Sequence, residues 1–138
     1  MRSKRGSSDM VATLHFVLDT GALIAAERDD AWVLRYFELR ERGLARITIP
    51  RVVLLEWWRG RTNVREKILA AATIVEALAD DIAKAAGVAQ AKVKGATPID
   101  AAVMATASLR DGIVVTHDID DFTDLGVHFK GVRVLGAP

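Results

Sequence analysis

The sequence predicts an α/β protein with a central, mostly parallel sheet covered by helices on both faces. Three observations predict it. Short apolar runs alternate with segments of helical periodicity from Leu14 to the end of the chain. The runs are separated by connections long enough to hold a helix, as parallel pairing requires. Two of the runs stop at or just before an acid, Asp19 and Asp118. Open sheets of this class bind their ligands at the carboxyl ends of the strands.

The elements follow in order. Residues 14–18 form an apolar run that stops at Asp19-Thr20-Gly21, a buried strand ending in a turn. Residues 21–27 read as a short helix. Residues 32–42 read as a longer one, with Trp32, Tyr36 and Leu39 on one face and Gly43 as its stop. Residues 45–49 are a second strand. Pro50 opens a helix running to about Arg59, because proline suits the first helical turn. Residues 63–71 are helical. Residues 73–76 read as a short strand, with a continued helix as the alternative. Residues 80–90 are Ala-rich and helical, and residues 93–97 form a loop. Thr97-Pro98 opens a helix that ends near Asp111-Gly112. Ile113-Val114-Val115-Thr116 is the clearest buried strand. Residues 118–125 are a turn and short helix, and residues 132–135 are the last strand.

With 138 residues the chain suits one domain. Residues 1–13 read as a flexible basic tail and residues 14–138 as the folded domain. No cysteine is present, which excludes disulfides and thiolate metal sites. No apolar run approaches a membrane span, and the start lacks the apolar core of a signal peptide. A soluble cytoplasmic protein is therefore expected. The net charge of +1 neither requires nor forbids a nucleic-acid partner. Its distribution is more informative: Arg59, Arg61 and Arg65 fall in one stretch, and Lys92 and Lys94 in another. Beside an acidic cleft they could hold phosphates that the cleft repels.

Four acids stand out. Asp19 follows Phe16-Val17-Leu18 and sits at the sheet's carboxyl edge, although a cap or turn role would also explain it. Glu56 is the single acid in an apolar helix, readable equally as a rim residue paired with Arg59 or as a carboxylate aimed into a cleft. Asp100 occupies the third position of a helix capped by Thr97, so capping alone could account for it. Asp118 follows Thr116 by two residues and would share its side if the strand continued. Asp121 is a further acid in the same stretch. Carboxylates gathered at one edge repel, and a divalent cation such as magnesium or manganese removes that penalty. Such an ion can also activate water and stabilise charge on a phosphodiester. His15, His117 and His128 show no metal-ligand spacing and are expected to be structural or at the surface. The chain has no G-x-S-x-G elbow, P-loop or G-x-G-x-x-G.

Taken together, Val17-Leu18-Asp19-Thr20-Gly21, Ile49-Pro50 through Glu56-Trp57-Trp58-Arg59-Gly60, Thr97-Pro98-Ile99-Asp100-Ala101 and Val114-Val115-Thr116-His117-Asp118 resemble the PIN-domain family. Within it they resemble the VapC-type toxins of bacterial toxin–antitoxin pairs. The resemblance implies a three-layer α/β/α sandwich and magnesium- or manganese-dependent RNA cleavage. It carries Asp19, Glu56, Asp100 and Asp118 over as an acidic quartet, with Thr116 as an accessory hydroxyl. Asp19, Asp100 and Asp118 would hold metal, and Glu56 would act through water. It further implies a homodimer and a cognate antitoxin.

Other readings predict different features. A housekeeping RNA-processing nuclease of the same fold would lack an antitoxin. A signalling receiver domain would need an acidic pair after the first strand and an acid after a central one. Here Asp19 is followed by Thr20-Gly21, and residues 45–49 run into Pro50. A non-catalytic interaction module would bind no divalent ion.

Overall fold

The computed structural model describes residues 13–138. Of the expected tail, residues 1–12 lie outside the described residues. Five parallel strands form one sheet in the order β3-β2-β1-β4-β5. They are β1 (Leu14–Leu18), β2 (Ala45–Pro50), β3 (Ile74–Glu76), β4 (Ile113–Thr116) and β5 (Val134–Gly136). The helices are α1 (Thr20–Glu27), α2 (Ala31–Glu41), α3 (Arg51–Trp57), α4 (Asn63–Ala71), α5 (Asp80–Lys92), α6 (Pro98–Leu109) and α7 (Asp120–Gly126). The parallel α/β class is as expected.

The strands are apolar because both faces of the sheet are covered. Val17, Leu18, Ile47, Ile49, Val114 and Val115 are fully buried. Each such side chain contributes about 1.5–3 kcal/mol by leaving water. Phe16 meets the Tyr36 ring edge-on at 4.8 Å, so α2 lies on the face that Phe16 presents. On the opposite face His15 bonds the Arg110 carbonyl at 2.9 Å, just past the end of α6. The alternation of strand side chains puts the two residues on different faces. The helices therefore form the two outer layers of an α/β/α sandwich. In α6 every residue from Ala101 to Ala107 is buried, and its alanines permit close packing on the sheet. Gly112 permits a similar approach, because a β-carbon there would stand 2.5 Å from Val17 Cγ2.

His15 also bonds Thr48 Oγ1 at 2.6 Å. Burial, followed by the nearby Arg46 charge, lowers its pKa below the ordinary histidine value. It is a neutral internal tie between β1, β2 and the end of α6, in keeping with a structural role.

Several boundaries differ from expectation by a residue or two, and three of them have a clear local cause. Pro50 completes β2 instead of opening a helix, with Pro50 paired to Glu76 of β3. The helix expected to reach Arg59 ends at Trp57, because Trp58 is extended at φ −76° and ψ 100°. The last strand runs two residues later than expected at its start, since Val132 N–H is taken by the Phe129 carbonyl at 3.2 Å. Among the described residues no helix is long and apolar enough to cross a membrane.

Candidate active site

The strand order reverses direction between β1 and β4, and this is where an open sheet leaves a crevice at its carboxyl edge. Asp19 and Thr116 meet there. Asp19 follows β1 and its N–H bonds the Val115 carbonyl at 3.2 Å. It is also the N-cap of α1: Oδ1 accepts from Ala22 N–H at 2.8 Å. Oδ2 accepts from the Thr116 hydroxyl at 2.5 Å. The residue is only 7% exposed. Burial raises its pKa above the usual aspartate value; the Asp121 charge adds to the rise, while Thr116, Ala22 and His117 oppose it. The capping role and the edge position are thus both present in one residue.

Asp100 enters from the start of α6. Thr97 is the N-cap and accepts from Asp100 N–H at 3.1 Å, with Pro98 first in the helix. The carboxyl itself is half-buried. Its pKa is pushed up to about 6, first by burial and then by the charges of Asp19, Asp121 and Glu56, against a lowering contact with Thr97. Thr97 therefore engages both the backbone and the carboxyl of Asp100, while burial and the neighbouring acids act on that carboxyl in the opposite sense.

Glu56 is exposed on α3 and accepts a hydrogen bond from the Thr20 hydroxyl at the start of α1. Its expected partner Arg59 instead reaches the Glu56 carbonyl, at 3.4 Å. Asp118 is exposed and lies beyond the end of β4. Its N–H bonds Thr116 Oγ1 at 3.1 Å, and its Oδ1 accepts from Asp120 N–H at 3.0 Å. Asp121, in the first turn of α7, is the acid of this stretch whose charge acts on both Asp19 and Asp100.

The donor set suits a hard divalent cation. Asp19, Asp100, Asp121 and Glu56 offer oxygen only, and their charges oppose one another at Asp100. Among the described residues no three acid or imidazole side chains stand close enough to ligate one ion together.

Beside these acids a cavity of about 400 Å³ is bounded in part by Thr20, Glu56, Trp57 and Arg59. Glu27 and Arg65 also border it and are bonded to each other: Arg65 Nε donates to Glu27 Oε2 at 3.1 Å. Glu27 Oε1 accepts from Trp57 Nε1 at 2.5 Å. Arg65 further donates to the Gly60 carbonyl at 2.9 Å. The expected cations are therefore not equivalent. Arg59 lines the cavity, Arg65 is held by Glu27, and Arg61 pairs loosely with Glu66 at 3.6 Å. Lys92 lines a separate cavity together with Val88 and Phe129, and Lys94 is exposed between α5 and α6. Thr20, Glu27 and Arg28 were not singled out by sequence. Thr20 carried one usable signal, a hydroxyl next to a strand-end acid. Glu27 and Arg28 carried none.

The model of the PIN domain family matches residues 16–127. No curated protein matches the chain in sequence. Solved structures do match its fold. A chain of the VapBC2 complex from Rickettsia felis, solved bound to a promoter DNA fragment, gives a TM-score of 0.68 at 15% identity, over 91% of this chain and 100% of that one. A chain of the DNA-bound VapBC complex from Salmonella typhimurium gives 0.65 at 20% identity, over 90% and 98%. A chain of a toxin–antitoxin complex from Klebsiella pneumoniae gives 0.59 at 20% identity, over 78% and 89%.

Proposed function

The chain belongs to the PIN-domain family, and from that premise we propose that it is a toxin endoribonuclease that cleaves RNA with a divalent metal ion. The observation that carries this reading is the meeting of Asp19 and Thr116 at the carboxyl ends of β1 and β4, within the segment that matches the PIN domain. Burial and the charges of Asp19, Asp121 and Glu56 raise the Asp100 pKa beside them. Acids from separate elements thus act on one another at the crevice of a parallel sheet.

Asp19, Asp100 and Asp118 would hold magnesium or manganese, with Asp121 as a further acid beside them. A bound ion would neutralise charge on the phosphodiester and favour ionisation of a nearby water. The chain's own groups do the rest. Thr116 and the Ala22 N–H fix the Asp19 carboxylate. Thr20 holds Glu56, which takes the proton of the attacking water. Water oxygen bonds to phosphorus in line as the bond to the 3′ oxygen breaks. The products are a 5′-phosphate and a 3′-hydroxyl, the latter protonated from solvent.

The likeness to chains of VapBC and toxin–antitoxin complexes supports an antitoxin partner and a VapC-type role; a homodimer is proposed from the family resemblance alone. A toxin of this kind works on RNA in the cytoplasm. The test is cleavage of RNA by the purified protein with magnesium or manganese. Chelator, Asp19→Asn and Asp100→Asn should each abolish it. Undiminished cleavage by the folded variants would overturn the assignment. Growth arrest on expression, relieved by a small gene lying directly upstream, tests the toxin role.

A further inference from the structure

The cavity beside the acids shares Thr20 and Glu56 with them, yet it is not the place where Asp19 and Asp100 act. Its volume of about 400 Å³ lies within the range of sites for one small organic group. Its cations differ in availability. Arg65 is neutralised by Glu27. Arg28 and Arg59 border the cavity as well, and among the described residues neither pairs with an acid. Both are exposed.

Helix α1 relates the two places. Asp19 caps its start and Arg28 its end. Eight helical residues span about 12 Å. A nucleic-acid strand whose phosphate sits at Asp19 can therefore lay a neighbouring nucleotide in the cavity. Phosphates approaching the carboxylates are repelled, so cations close by are needed to hold the strand. Guanidinium groups suit that task through paired donors.

We propose that this cavity, resting on the ribonuclease reading above, is a subsite for a nucleotide flanking the one being cut, with Arg28 and Arg59 as its phosphate clamp. Glu27 acts on this subsite by holding Arg65 at its edge, where Arg65 also bonds the Gly60 carbonyl beside Arg59.

The test is binding of a fluorescent single-stranded RNA in chelator, measured across salt concentrations. Arg28→Ala and Arg59→Ala should each weaken binding about tenfold. Each should lower the salt slope by about 0.7. Arg35→Ala, on the exposed side of α2, should change neither. Wild-type affinity and slope in the double variant would overturn the subsite, even where wild type cleaves RNA and Asp19→Asn does not. Failure of wild type to bind RNA in chelator would overturn the subsite alone, because cleavage with magnesium or manganese tests the ribonuclease reading separately. Tighter binding of polyglutamate than of RNA through the same two arginines would also overturn it, in favour of an acidic peptide.

Discussion

The Thr116 hydroxyl donates to Asp19 Oδ2 at 2.5 Å, joining the carboxyl ends of β4 and β1. Both groups are buried, and Thr116 is 1% exposed. Thr116→Val leaves that oxygen without its donor. The loss should destabilise the fold by about 1–3 kcal/mol. It should also raise the Asp19 pKa further, since Thr116 opposes the rise that burial causes. The acidic limb of the pH–cleavage profile would then move to higher pH, and Thr116→Ser should return it. An unchanged profile in Thr116→Val would show that the hydroxyl does not tune Asp19.

Asp100 gives stability a pH dependence of defined sign. Its pKa is about 6 in the fold, against an ordinary value of 3.8. Between those values the folded chain holds the proton more tightly than the unfolded one. Its stabilising contribution is complete below about pH 4 and is lost as pH rises through about 6. For a half-buried group the loss is about 1–2 kcal/mol after screening. Asp100→Asn removes the ionisation and should be more stable than wild type at pH 7.5. Thermal unfolding of both proteins from pH 4 to 8 checks this. Parallel curves would contradict it. Cleavage has the opposite course, falling at acid pH as the carboxylate takes up its proton.

A divalent ion should relieve the same repulsion. Binding to the fold alone stabilises by about 1.4 kcal/mol at ten times the dissociation constant. For a chain of this size that raises Tm by a few degrees. Magnesium or manganese should therefore raise the Tm of wild type, and chelator should reverse it. The Asp19→Asn, Asp100→Asn double variant should show no metal-dependent shift. An equal shift in the double variant would place the ion elsewhere.

The parts of this site that were legible in sequence are those set by local pattern. Asp19 and Thr116 sit at the ends of apolar runs, and both faces of the sheet demand such runs. Thr97-Pro98 declared the start of α6 through cap chemistry. What sequence left open depends on contacts between distant residues. The end of α3 is set by Trp58 and by the loop that Arg65 holds through Gly60. The start of β5 is set by its register, Val114 against Val134. Asp118 and Asp121 could not be ranked, because one lies in a turn and the other in the first turn of α7. Glu27 was invisible, since its partners lie 30 and 38 residues away.

Glu27 is also where the fold and the cleft are most directly coupled. One oxygen accepts from Trp57 and the other from Arg65. Glu27 and Arg65 side chains are 23% and 20% exposed, so solvent replaces the lost partner only in part. Glu27→Ala leaves an indole N–H and a guanidinium without their acceptor. It should cost about 2 kcal/mol, read by chemical denaturation. Arg65→Ala removes the charge that Glu27 balances and should cost a similar amount. Because the two residues share one interaction, the double variant should lose less than the sum by about 1 kcal/mol or more. Agreement with the sum to within about 0.3 kcal/mol would show that the pair is energetically independent. The same variants should loosen the chain from Trp58 to Gly60, which Arg65 ties down, and with it Arg59. A coupled loss of stability and of RNA binding in Glu27→Ala is therefore expected, with binding less affected in Glu27→Gln, which keeps an acceptor for Trp57.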